Sequence, residues 1–110
     1  MDLYHTTDLD GISELKPDKQ RLRAILASLD SENADAASHP DVSLVNDDNG
    51  WSLSVYPSGI VTLDQLDEPD EPPQYMKGVN RDTALGLWLD LAAGRMESIN
   101  ALAWQKDAGV

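Results

Sequence analysis

Cysteine is absent from the chain, which removes disulfides, thiolate metal sites and thiol nucleophiles together. Phenylalanine is absent too, so the aromatic set is three tryptophans and three tyrosines. No apolar run approaches the roughly 18 residues of a membrane span. The opening Met1-Asp2-Leu3-Tyr4-His5 lacks the basic-then-apolar character of a secretory leader, so a cytoplasmic chain away from membranes is expected. Histidine is scarce, with only His5 and His39 able to titrate near neutrality, each in a loop-like setting without a patterned partner. Positive charge is scarcest of all: 8 Lys and Arg stand against 20 Asp and Glu, a net of −12. A surface that grips nucleic acid or anionic lipid through its phosphates is therefore excluded.

What is present is unevenly placed. From Ala24 through Met76 there is no Lys or Arg, while eleven acids fall there: Asp30, Glu32, Asp35, Asp41, Asp47, Asp48, Asp64, Asp67, Glu68, Asp70 and Glu71. The flanking segments hold the remaining nine acids and all eight bases. An acidic centre of this kind repels other anions and speeds encounter with a basic partner, more at low salt than at high.

At 110 residues the chain has room for one hydrophobic core and one domain. Residues 1–14 hold Leu3, Leu9 and Ile12 too sparsely to predict an element. A helix is predicted from the first turn at Pro17 and Asp18 to about Asp30, with Leu22, Ile25, Leu26 and Leu29 as its buried stripe. Residues 31–40 read as a polar connection, with one helical turn at Ala34–Ala37.

Strands are predicted over Val42–Asn46, Trp51–Tyr56 and Ile60–Gln65. Asn49-Gly50 suits a two-residue type I′ turn, which pairs Asn46 with Leu53 and Leu44 with Val55. A three-residue Pro57-Ser58-Gly59 loop with Gly59 left-handed pairs Val55 with Val61 and Leu53 with Leu63. Both registers send Val42, Leu44, Trp51, Leu53 and Val55 to one face and Ser43, Ser52, Ser54 and Tyr56 to the other. Three prolines between Pro69 and Pro73 forbid regular structure there, leaving a solvated loop. Tyr75–Val79 is a candidate fourth strand.

Asn80 caps a second helix whose apolar residues, Ala84, Leu85, Leu87, Trp88, Leu89, Leu91 and Ala92, cover more than half its circumference. Such a stripe calls for burial on two sides, and Gly94 ends the helix. A shorter helix over Arg95–Leu102 directs Met96, Ile99 and Leu102 inward, Trp104 packs it down, and Gln105–Val110 frays. The expected fold is α+β: an antiparallel meander of three to four strands with helices packed on one face.

Catalytic patterns are missing. There is no Gly-x-Ser-x-Gly, no phosphate-cradling glycine loop and no His-Glu-x-x-His. An EF-hand with Gly50 at its sixth position fails at Val45 and Tyr56; one with Gly11 there fails at Thr6 and Pro17. The Asp64–Glu71 acids lie among prolines that resist closing around a cation. No enzyme activity, cofactor or metal is expected.

The segments Gly-Trp-Ser-Leu-Ser-Val-Tyr-Pro-Ser-Gly, Gly-Val-Asn-Arg and Ala-Leu-Gly-Leu-Trp, set in a small acidic cysteine-free chain, resemble in overall type the bacterial immunity proteins that neutralise toxins. The resemblance spans about half the chain and implies an acidic surface that meets the basic cleft of a toxin. The residues expected to make such a contact are Asp47, Asp48, Asp67, Glu68, Asp70 and Glu71 for charge, with Trp51 or Tyr56 as anchor. Two other readings use the same residues: a DNA-mimic regulator with carboxylates spaced like phosphates, or a small ligand-binding or enzymatic domain with a carboxylate or tyrosine pocket beside the second helix. A homodimer would also satisfy the wide apolar stripe.

Overall fold

A computed structural model describes residues 3–9, 11–30, 41–67, 74–102 and 104–106. It is α+β, with one antiparallel sheet and three helices among those residues. The strands are β1 (Tyr4–Thr7), β2 (Ser13–Leu15), β3 (Val42–Asn46), β4 (Trp51–Val55), β5 (Val61–Gln65), β6 (Gln74–Met76) and β7 (Gln105–Lys106). The helices are α1 (Lys19–Ala27), α2 (Arg81–Ala92) and α3 (Met96–Asn100). Sheet order is β2-β1-β3-β4-β5-β6-β7, every neighbour antiparallel.

The expected three to four strands are thus only the centre of a wider sheet, with six strands of three or more residues and a two-residue seventh. The additions come from both ends of the chain. β1 and β2 pair as a hairpin, with Gly11 at φ 78° between them, and Asp8 accepts from the Ile12 amide at 3.0 Å. Of the predicted frayed tail, Gln105–Lys106 instead form β7, which pairs Gln105 with Tyr75, and residues 107–110 lie outside the described residues. Residues 31–40, with their predicted helical turn, lie outside the described residues, as does the proline loop from Glu68 to Pro73.

The β4–β5 register is the predicted one, Val55 with Val61 and Leu53 with Leu63, around Gly59 at φ 89°. The β3–β4 register is not. Leu44 pairs with Leu53 and Val42 with Val55, two residues away from the type I′ arrangement. Asn46 causes the shift. Its Oδ1 accepts from the amides of Asp48 and Asn49 at 2.9 and 3.1 Å, and the Gly50 amide donates to its carbonyl at 2.9 Å. That wraps a four-residue loop in which only Gly50 is left-handed, at φ 76°. An even shift leaves every side chain on its predicted face.

Val42, Leu44, Leu53, Val55, Val61 and Leu63 form the buried face of the sheet. α2 lies on β3 and β4, and α1 and α3 pack against α2. This meets the demand for burial on two sides within one chain. Trp88, fully buried, donates its indole N–H to the Leu53 carbonyl at 3.1 Å. Burying each such side chain stabilises by about 1.5–3 kcal/mol.

The caps follow the local chemistry. Asp18, rather than Pro17, starts α1 by accepting from the Arg21 amide at 2.8 Å. Asn80 accepts from the Thr83 amide at 2.8 Å. At the end of α2, Gly94 (φ 75°) and Arg95 donate their amides to the carbonyls of Leu91 and Asp90, the paired bonds of a Schellman stop. α3 is shorter than predicted; Ile99 is buried, Met96 half-buried, and Leu102 exposed rather than inward. The chain turns away at Leu102 so that the Trp104 indole can donate to the Ile99 carbonyl at 2.7 Å.

Candidate binding face

Alternation along the strands sets two transverse rows of side chains on the face opposite the helices. One runs Leu15, His5, Val45, Ser52, Asp64; the next runs Ser13, Thr7, Ser43, Ser54, Thr62, Tyr75, Gln105. Among the described residues no helix covers this face. The second row is uncharged along its whole length, mostly serine and threonine, so it is flat and polar.

The predicted contact residues divide between two places. At the β3–β4 loop, Asp47 accepts from His5 Nδ1 at 2.9 Å, with both side chains partly exposed. Asp48 accepts from the Leu3 amide at 2.9 Å, and the Asp47 amide donates to the Leu3 carbonyl at 2.7 Å. These two acids hold the start of β1 in the sheet. Asp67 lies beside them: a Cβ on Gly50 would fall 2.9 Å from Asp67 Cγ and 2.5 Å from Gln65 Oε1. Gln65 ties the group together, donating to the Asn49 carbonyl at 3.0 Å and accepting from the Asp67 amide at 3.1 Å. Asp47, Asp48 and Asp67 therefore share one end of the sheet. Glu68, Asp70 and Glu71 lie outside the described residues.

Trp51 and Tyr56 are not brought together. Trp51 follows the inward parity of Leu53, is half-buried and packs against the core. Tyr56 follows β4 at its other end, on the outward side. Arg81 positions it, donating to the Tyr56 carbonyl at 3.4 Å and, from Nη2, to the Pro57 carbonyl and Asp30 Oδ1, each at 3.0 Å.

Two titratable groups on the outward side of the sheet, Tyr56 and Asp64, are shifted by burial. Burial, then the charges of Asp41 and Asp64, push the Tyr56 phenol above its ordinary value, and a hydrogen bond with Thr62 acts in the opposite direction. Desolvation likewise pushes the Asp64 carboxyl up. Asp64 is paired through its backbone with Ser52 in the β4–β5 ladder, and among the described residues its carboxylate makes no hydrogen bond or ion pair. A signal for it was present: in the correct β4–β5 register, Asp64 faces Ser52 and shares the outward side with Ser54 and Tyr56.

Charge differs between the layers. The helices with their caps and adjoining turns balance five bases (Lys19, Arg21, Arg23, Arg81, Arg95) against five acids (Asp18, Asp30, Asp82, Asp90, Glu97). The sheet and its loops place Asp8, Glu14, Asp41, Asp47, Asp48, Asp64 and Asp67 against Lys16 and Lys77 among the described side chains. The described excess of negative charge thus belongs to the sheet layer.

Among the described residues no group of three or more His, Asp or Glu side chains is arranged to hold a metal ion. No described helix is long and apolar enough to cross a membrane. No protein-family model, curated protein or solved structure matches the chain.

Proposed function

We propose that this is a non-enzymatic, cytoplasmic binding protein whose acidic sheet layer engages a basic protein partner. The supporting observation is the division of charge: the helical layer cancels internally, and the sheet layer carries the surplus of carboxylates. A field of one sign on one layer orients an approaching cationic surface before contact and raises the association rate. Neutralisation of a basic toxin by an immunity-type protein is the form of this activity that the sequence resemblance suggests. The partner's cationic cleft would be covered stoichiometrically, without chemistry.

The test is capture of partners from the source cell on the immobilised chain at about 50 mM salt, with the association rate of the purified complex then followed as salt rises to about 300 mM. A basic protein bound in a fixed ratio, associating more slowly as salt increases, is the expected result. If no basic protein is retained at low salt, or the association rate ignores salt, the reading is wrong.

A further inference from the structure

We propose that the open edge of β2 pairs with β2 of a second copy of this chain, giving a weak two-fold dimer with one continuous antiparallel sheet.

Among the described residues nothing pairs with the outer side of β2, which ends the sheet order. The register decides which of its backbone groups are free. The Lys16 amide donates to the Tyr4 carbonyl and the Asp8 amide to the Ile12 carbonyl, so alternate residues turn their backbone toward β1. Glu14 belongs to that set, and Ser13 and Leu15 turn their N–H and C=O outward. An antiparallel pair with Ser13 opposite Leu15 of the second copy satisfies every one of these outward groups. Its two-fold axis passes midway between the two Glu14 residues, perpendicular to the sheet. The strand also lacks the usual guards of an edge, since it holds no proline, lysine or bulge.

Exposed apolar side chains collect at the same place. Of the five large hydrophobic side chains exposed on the described surface, Leu3, Ile12 and Leu15 belong to this hairpin, with Leu15 at 69% and Ile12 at 57% the most exposed. Leu3 and Leu15 share the outward parity of His5 on adjacent strands, one diagonal apart. The proposed register sets the two Leu15 side chains diagonally across the axis, each with Leu3 behind it, closing an apolar strip over the new strand pair.

Charge selects a second copy as the occupant. Residues 1–23 hold four of the eight bases and five of the twenty acids, so this corner is nearly neutral in a chain of −12. Approach through the acidic sheet loops would set like charge against like, and approach through this edge does not. The one acid in β2, Glu14, is held by Arg21 of α1, whose Nε lies 2.9 Å from each carboxylate oxygen. A basic segment would find that carboxylate taken. In the dimer the two Glu14 side chains face each other, and the two Arg21 guanidinium groups cancel the repulsion between them. A three-residue strand pair with its leucines buries far less than the roughly 1,200 Å² of a stable interface, so the dimer is weak, with a dissociation constant of about 0.1 mM.

The test is sedimentation equilibrium of the full chain from about 20 µM to about 1 mM, with amide exchange followed at both ends of that range. The mass should rise toward the dimer, and the Ser13 and Leu15 amides should gain protection only at the high concentration. Ser13→Pro removes an outward donor without touching the β1 ladder, and Leu15→Lys sets a solvated charge in the apolar strip. Each should weaken association about tenfold or more. Leu66→Lys, the same change at an exposed leucine outside the hairpin, should alter it less than about twofold. A chain still monomeric at about 1 mM would overturn the proposal. So would a dimer that Leu15→Lys leaves intact, that Leu66→Lys weakens equally, or whose Ser13 and Leu15 amides stay unprotected. Exchange on the unsubstituted chain decides the question even if Ser13→Pro fails to fold. The dimer forms without any other protein, so its failure leaves the basic-partner reading standing.

Discussion

Asn46→Ala isolates one side chain that ties three parts of the fold. Asn46 is fully buried at the end of β3. Its Nδ2 donates to the Leu91 carbonyl in the last turn of α2 at 2.8 Å, and its Oδ1 receives the Asp48 and Asn49 amides. Truncation removes these three hydrogen bonds, each worth roughly 1 kcal/mol net. The Leu91 carbonyl keeps the Gly94 amide at 3.0 Å, and the two loop amides lie in a partly exposed turn where water replaces the lost acceptor. The larger penalty for stranded buried groups therefore does not apply, and the expected loss is about 3 kcal/mol. Against a typical domain stability of about 5–15 kcal/mol this is severe. In urea, with a slope of about 1–3 kcal/mol/M, the midpoint should fall by about 1–3 M with the slope unchanged. Asn46→Asp keeps the acceptor for both amides but sets a buried carboxylate against the Leu91 carbonyl. It should be destabilised at neutral pH and recover part of the loss in acid, where the carboxyl is protonated. A midpoint change equivalent to less than about 1 kcal/mol for Asn46→Ala would refute the assignment of Asn46 as the joint between loop and helix.

Gly86 lies exposed within α2 with no atom within 4 Å of an added Cβ, so Gly86→Ala should stabilise by about 0.5–1 kcal/mol in the same assay. Unchanged or lower stability would mean the helix surface there is occupied. Asp64→Asn should stabilise the protein at neutral pH. Its folded carboxyl is raised above the unfolded value, so the folded state binds more protons across the interval between the two values, and stability falls as pH rises through it. The difference between variant and parent should therefore shrink as pH drops below the unfolded aspartate value near 3.9. A variant less stable at pH 7, or a gap that widens in acid, would contradict the desolvation of Asp64.

Features set by neighbours in the chain were legible in the sequence. The Leu22–Leu29 stripe, the Asn80 cap, the Gly94 stop and the three-residue Pro57-Ser58-Gly59 loop each follow from a few adjacent residues. Features that need distant partners were not. Tyr4–Thr7 alternates inward and outward over only four residues, and the strand exists because Thr6 finds Leu44 on β3. β7 is shorter still and depends on β6. The β3–β4 register failed for another reason: Asn49-Gly50 favours a two-residue turn, but Asn46 offers the loop amides an acceptor and the helix a donor, and together these outweigh the turn preference. The binding face was half legible. The side of the sheet that Tyr56 occupies followed from alternation, whereas the commitment of Asp47 and Asp48 to β1 required knowing that β1 existed.

The strand order also carries a history of assembly. β3, β4 and β5 follow one another through short loops, so closing them costs little chain entropy. β1 joins β3 only after the chain has passed through α1 and residues 31–40, and β7 joins β6 only after α2 and α3. The sheet is expected to grow outward from its middle, with the edge pairs completed last and released first. Native-state hydrogen exchange should then order the strands by distance from β4, with amides of β7 and β2 exchanging through the smallest openings and those of β4 only on global unfolding.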